Sequence, residues 1–120
     1  MQYPDMKLYE EIIFLKHFFK GIYIIENVIP YYNALIKPQI LNNHCFWSNK
    51  QLGNFKKDSR MIRDNNLKGK EARNGFNLSK FDISNTIKEQ LLENCVKPEI
   101  GLHIFNMCFK QKQMLICDIK

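Results

Sequence analysis

No apolar run in this sequence approaches the roughly 20 residues a membrane-spanning helix needs. The opening MQYPDMKLYEE sets no basic stretch ahead of an apolar one, so no secretory leader is expected and the chain is read as soluble and cytoplasmic. The four cysteines, Cys45, Cys95, Cys108 and Cys117, have no Cys-x-x-Cys spacing, and His17, His44 and His103 are equally scattered. A metal needs clustered ligands, so no metal site is expected. In a reducing compartment these thiols are expected to be reduced, semi-buried packing residues. No internal repeat is visible. What remains is ordinary: 120 residues, 45% apolar and 25% charged, enough for one modest globular domain.

The charge is not evenly spread. Between Lys50 and Lys80 lie nine basic residues (Lys50, Lys56, Lys57, Arg60, Arg63, Lys68, Lys70, Arg73, Lys80) against three acids (Asp58, Asp64, Glu71), so this stretch holds the whole net charge of +6. A local surplus of that kind suits a polyanion, and it equally suits a well-solvated basic loop.

Hydrophobic spacing predicts a first helix over Asp5–Lys20, where Leu8, Ile12, Leu15 and Phe19 recur at four, three and four. Phe14 and Phe18 widen that stripe, and Gly21 is placed to stop the helix. Ile22–Glu26 follows as a nearly continuous apolar run, the pattern of a strand covered on both faces in a parallel sheet. PYYNALIKP, between Pro30 and Pro38, predicts a helical turn within a loop, and His44–Ser48 a short aromatic strand. Residues 49–85 lack periodicity and read as an irregular insertion. Ser84 or Asn85 then caps a helix through TIKEQLLENCV, a second helix runs from Glu99 to about Lys112, and QMLICDIK is expected to close as a strand. One amphipathic helix, two strands and two C-terminal helices cannot cover a parallel sheet from both sides, so the chain is either a small α+β domain or the back half of a larger α/β domain.

Three blocks are more specific. Ile25-Glu26-Asn27-Val28, ending a strand, resembles the Glu-Asn-Val motif of DNA cytosine-5 methyltransferases. The longer run ENVIPYYNALIKPQILNNHCFWSN is similar to a bacterial and phage branch with an H-x-F-W-S-N strand, and ENCVKPEIGLHIF resembles that branch's last motif. Their order and spacing agree, over nearly the whole chain, thinning across residues 58–84. The resemblance implies an α/β fold, the second half of a Rossmann-like methyltransferase domain with an irregular basic insertion and C-terminal helices. It divides the chain into residues 1–57 in the catalytic domain, residues 58–84 as a small basic target-recognition-like region, and residues 85–120 as helices returning to the catalytic domain. It further implies methyl transfer from S-adenosylmethionine to C5 of cytosine in double-stranded DNA, in a restriction–modification setting. Glu26 takes the place of the glutamate that contacts N3 and the exocyclic amine of a flipped cytosine, and Asn27 of the residue that anchors the adjoining loop. Asn94 matches the asparagine that helps complete the cofactor pocket, and Lys56, Lys57, Arg60 and Arg63 fall in the region that contacts DNA.

Two departures stand beside this. The branch usually has arginine before the histidine of its aromatic strand, where this chain has Asn43. The Phe-x-Gly-x-Gly cofactor motif and the Pro-Cys-Gln nucleophile block occur nowhere, and no cysteine follows a proline. Both motifs lie upstream in the family. The expectation is therefore a C-terminal methyltransferase portion, inactive alone or completed by a separate N-terminal polypeptide. The alternatives are a non-catalytic basic DNA-binding module and a remnant without function.

Overall fold

The computed structural model describes residues 3–55 and 65–117, with side chains described as far as residue 109. The first helix, α1 (Met6–Phe18), starts where Asp5 accepts hydrogen bonds from the Lys7 and Leu8 N–H groups at 3.1 and 3.4 Å. It ends earlier than Gly21, at a cap on extended Phe19 whose N–H returns to the Leu15 carbonyl. Gly21 serves a different purpose. A Cβ there would sit 2.7 Å from the Phe19 ring, so the glycine makes room for the ring.

Three strands form one antiparallel sheet in the order β1-β3-β2: β1 (Ile24–Val28), β2 (Gln39–Leu41) and β3 (His44–Ser48). A two-residue turn, Asn42-Asn43, joins β2 to β3, and Asn42 takes φ 55°, a conformation asparagine tolerates well. The apolar run before Glu26 predicts a strand enclosed on both faces of a parallel sheet. Instead β1 lies at the edge of an antiparallel one, and its residues alternate between exposed and half-buried. The entry to β1 is tied by Asn49, which accepts from the Tyr23 N–H at 3.3 Å and donates to the Gly21 carbonyl at 2.9 Å.

Alternation sorts the strands into two faces. Ile25, Asn27, Cys45 and Trp47 share one, against which α1 lays Tyr9 and Ile12; Leu8, Tyr32, Ala34 and Ile36 pack around that cluster. Full burial of Ile12 contributes about 2–3 kcal/mol. Trp47 meets Tyr9 edge-on at 6.3 Å and donates its indole N–H to the Ile36 carbonyl at 2.7 Å. The Tyr9 hydroxyl accepts from the Leu35 N–H at 3.1 Å. These bonds pin Leu35 and Ile36 in an irregular path where the proline-bounded sequence predicts a helical turn. On the other face Glu26, His44, Phe46, Gln39 and Leu41 lie together. Gln39 fixes the chain beyond β3, donating to the Lys50 carbonyl and accepting from the Leu52 N–H, both at 2.8 Å.

The chain forms two compact units, Met1–Phe55 with Leu102–Lys120, and Lys56–Gly101. In the second, α2 (Leu67–Asn74) lies in the stretch whose sequence shows no periodicity. It is capped by Asn66 and stopped by Gly75 at φ 75°. Its partner α3 (Asn85–Asn94) begins, as expected, on a Ser84 cap. The Lys70 ammonium is enclosed between the two helices and reaches Glu89 at 2.8 Å and Glu93 at 2.7 Å, while Asn74 donates to the Leu92 carbonyl at 3.1 Å. Bonding first to Glu89 and then to Glu93 holds Lys70 above the ordinary lysine range. The last helix, α4 (Pro98–Cys117), runs through residues where a closing strand is expected. From Lys110 to Cys117 the chain contains neither glycine nor proline, so nothing local ends the helix. No helix among the described residues is long and apolar enough to cross a membrane.

Candidate functional site

Glu26 sits mid-strand in β1 opposite Phe46, and His44 lies two residues along β3 on the same face. The His44 Nε2 is 3.7 Å from Glu26 Oε1. The two environments differ: the Glu26 side chain keeps 34% of its surface in water and His44 only 5%. Burial raises the Glu26 carboxyl above the ordinary glutamate range, and the nearby His44 partly offsets that rise. A carboxyl in this state holds a proton at higher pH than a solvated one, the property required of a group that donates or shares a proton. Among the described residues neither ring nitrogen of His44 has a hydrogen-bond partner.

Asn27, the next residue, points to the opposite face by strand alternation. Its Oδ1 accepts from the Val28 N–H at 2.8 Å. That bond is to its neighbour's backbone rather than to the loop beyond, and it leaves the amide nitrogen to serve other groups. Asn27 lines an open cleft of about 260 Å³ together with Tyr3, Ile29, Tyr31, Tyr32 and Trp47. Glu26 and Asn27 thus serve different faces of one sheet, and the Glu26 neighbour that matters is His44. A histidine at this position is present in the sequence block, but its meeting with Glu26 depends on the β1–β3 register. A fixed register with period-two alternation is the signal that predicts it.

Cys45 has the buried environment of a packing residue. Burial, and after it the Glu26 charge, raises its thiol, which therefore stays protonated and unreactive at neutral pH. Asn94 ends α3 in the second unit with its side chain exposed. A single exposed amide does not form a pocket for S-adenosylmethionine. Lys56, Lys57, Arg60 and Arg63 lie outside the described residues. Of the other basic residues in that stretch, Lys70 is committed to Glu89 and Glu93, whereas Lys68 and Lys80 are exposed. No three metal-ligating side chains converge among the described residues. No protein-family model, no curated protein and no solved structure matches this chain.

Proposed function

We propose that this chain is the C-terminal portion of a DNA cytosine-5 methyltransferase, the second half of a Rossmann-like domain, and that Glu26 is its acid. One observation carries the reading. Two of the blocks that resemble the family are neighbouring strands, Glu26 opposite Phe46, and burial raises the carboxyl there above the ordinary glutamate range. A protonated Glu26 can donate to N3 of an extruded cytosine while its second oxygen accepts from the exocyclic amine, which favours nucleophilic attack at C6. In this reading the base must leave the duplex stack, since no strand-borne carboxyl reaches it there. S-adenosylmethionine supplies the methyl group in the complete enzyme. Asn94 is this chain's contribution to holding it, and the rest of that pocket and the cysteine nucleophile belong to a partner polypeptide.

The experiment is co-expression with a polypeptide bearing both the Phe-x-Gly-x-Gly and Pro-Cys-Gln motifs, followed by measurement of labelled methyl incorporation into duplex DNA. The pair is expected to methylate cytosine and the isolated chain to be inactive, because the nucleophile that activates C5 is missing from it. Glu26→Gln in the pair is expected to lower the rate about 100-fold or more. Activity of the isolated chain, or an unaffected Glu26→Gln pair, overturns the reading.

A further inference from the structure

We propose that His44 is the positioning residue for the Glu26 carboxyl: its Nε2–H is donated to Oε1, which fixes the carboxyl's rotation and leaves Oε2 to present the proton. The inference rests on the role given to Glu26 above, but its geometry is independent of that role. Glu26 and His44 are diagonal neighbours across the β1–β3 pair, on one face and within side-chain reach. His44 is 4% exposed, and neither ring nitrogen finds a partner among the described residues. Buried side-chain nitrogens are rarely left so, because an unmet polar group keeps its full desolvation penalty.

The 3.7 Å separation is an ion-pair distance, about 0.7 Å longer than a hydrogen bond. Which group closes the gap follows from exposure. His44 is enclosed and held, whereas a third of the Glu26 side chain is in water and free to rotate. The carboxyl therefore swings to the ring. Among the described residues, the other groups near the pair do not compete for it. Cys45 lies on the opposite face, and its thiol feels the Glu26 charge. On this face β2 contributes Leu41 and Gln39, whose amide is committed to Lys50 and Leu52. His103 of α4 is held 2.7 Å from the Leu52 carbonyl. A neutral imidazole has one donor and one acceptor, so donation from Nε2 assigns the tautomer of His44.

The test uses the full 120-residue chain with isotope-labelled glutamate and histidine, read by NMR titration. The His44 ring signals are expected to move as Glu26 titrates, and Glu26→Gln to abolish that movement. His44→Gln is expected to raise the Glu26 midpoint, because the ring that partly offsets the effect of burial is gone. An identical Glu26 midpoint in wild type and His44→Gln, with unresponsive ring signals, overturns the proposal. In the co-expressed pair, His44→Leu is expected to reduce methyl transfer about 100-fold and shift its pH profile. His44→Gln keeps a donor and is expected to recover the rate to within about tenfold. Equal losses in both variants, with the pH profile unmoved, would mean packing alone and also overturn it. Titration coupling without methyl transfer by the wild-type pair upholds the His44–Glu26 contact and instead overturns the methyltransferase reading.

Discussion

At Glu26 the carboxyl's surroundings, more than its own chemistry, decide where its proton goes. Burial raises its pKa in the folded chain, so the folded state holds the proton more tightly than the unfolded one. The resulting stability is fully present below the unfolded value of 4.5 and is lost as pH rises through the folded value. Glu26→Gln removes that dependence. Urea unfolding at pH 4 and pH 7 is expected to show the variant equal to wild type at the lower pH and slightly more stable at the higher. The gain is expected to stay under about 0.5 kcal/mol, since water screens a side chain one-third exposed. A variant less stable at pH 7 would show that the ionised carboxyl is a net stabiliser. Trp47 is the opposite case, a residue whose polar atom is satisfied inside the core. Trp47→Phe strands the Ile36 carbonyl and thins the contact with Tyr9. The expected loss is about 2–3 kcal/mol, followed by circular dichroism because the variant has no tryptophan.

The helix α1 is apolar on two sides, and among the described residues the sheet covers one of them. Tyr9 and Ile12 face the sheet, while Met6, Ile13, Phe14 and Phe18 remain exposed, the two phenylalanine rings meeting at 5.5 Å with a tilt of 33°. Ile12→Ala is therefore expected to cost about 3 kcal/mol in urea unfolding, whereas Phe14→Ser should change stability by no more than about 0.5 kcal/mol and raise solubility. If Phe14→Ser costs as much as Ile12→Ala, the exposed face is a covered one in solution. Periodicity made α1 legible, but it could not say which part of so wide a stripe meets the sheet; Phe19 falls within the stripe and is half exposed. The Ser84 cap and the aromatic strand β3 were legible because each carries its own local signal. β2 was not, being three residues long; its trace in the sequence is the Asn42-Asn43 turn that follows. α2 was hidden because its link to α3 runs through Lys70 with Glu89 and Glu93, 19 and 23 residues apart in the chain, rather than through a repeat within the helix. The site divided in the same way. The acid was visible as Glu26, expected at a strand end and found mid-strand, while His44's place beside it emerged only from the antiparallel register.

Over the whole molecule, the net charge of +6 equals the surplus between Lys50 and Lys80, but those nine cations are not equivalent. Lys70 is spent internally, neutralised by two carboxylates and enclosed between α2 and α3, so it has no charge to offer a phosphate. A polyanion would be held by others in the stretch, foremost Lys56, Lys57, Arg60 and Arg63. Each phosphate neutralised releases counterions and steepens the fall of log K with log salt by about 0.9. Binding of the isolated chain to duplex DNA, followed by fluorescence anisotropy from low to moderate salt, should therefore have a measurable negative slope. Replacing those four residues with alanine is expected to reduce the slope by about three to four, and Lys70→Met to leave it unchanged. A slope that falls equally with Lys70→Met would mean the buried ion pair opens onto DNA. A slope near zero in the wild type would remove DNA as the partner of this segment. The same titration separates the two classes of function. A binding module alone requires the slope and is indifferent to Glu26→Gln in any reconstituted enzyme, whereas a methyltransferase portion requires both the slope and the acid. Under the proposed reading the basic stretch would bring the duplex to the chain, and Glu26 with His44 would act on the base once it has left the stack.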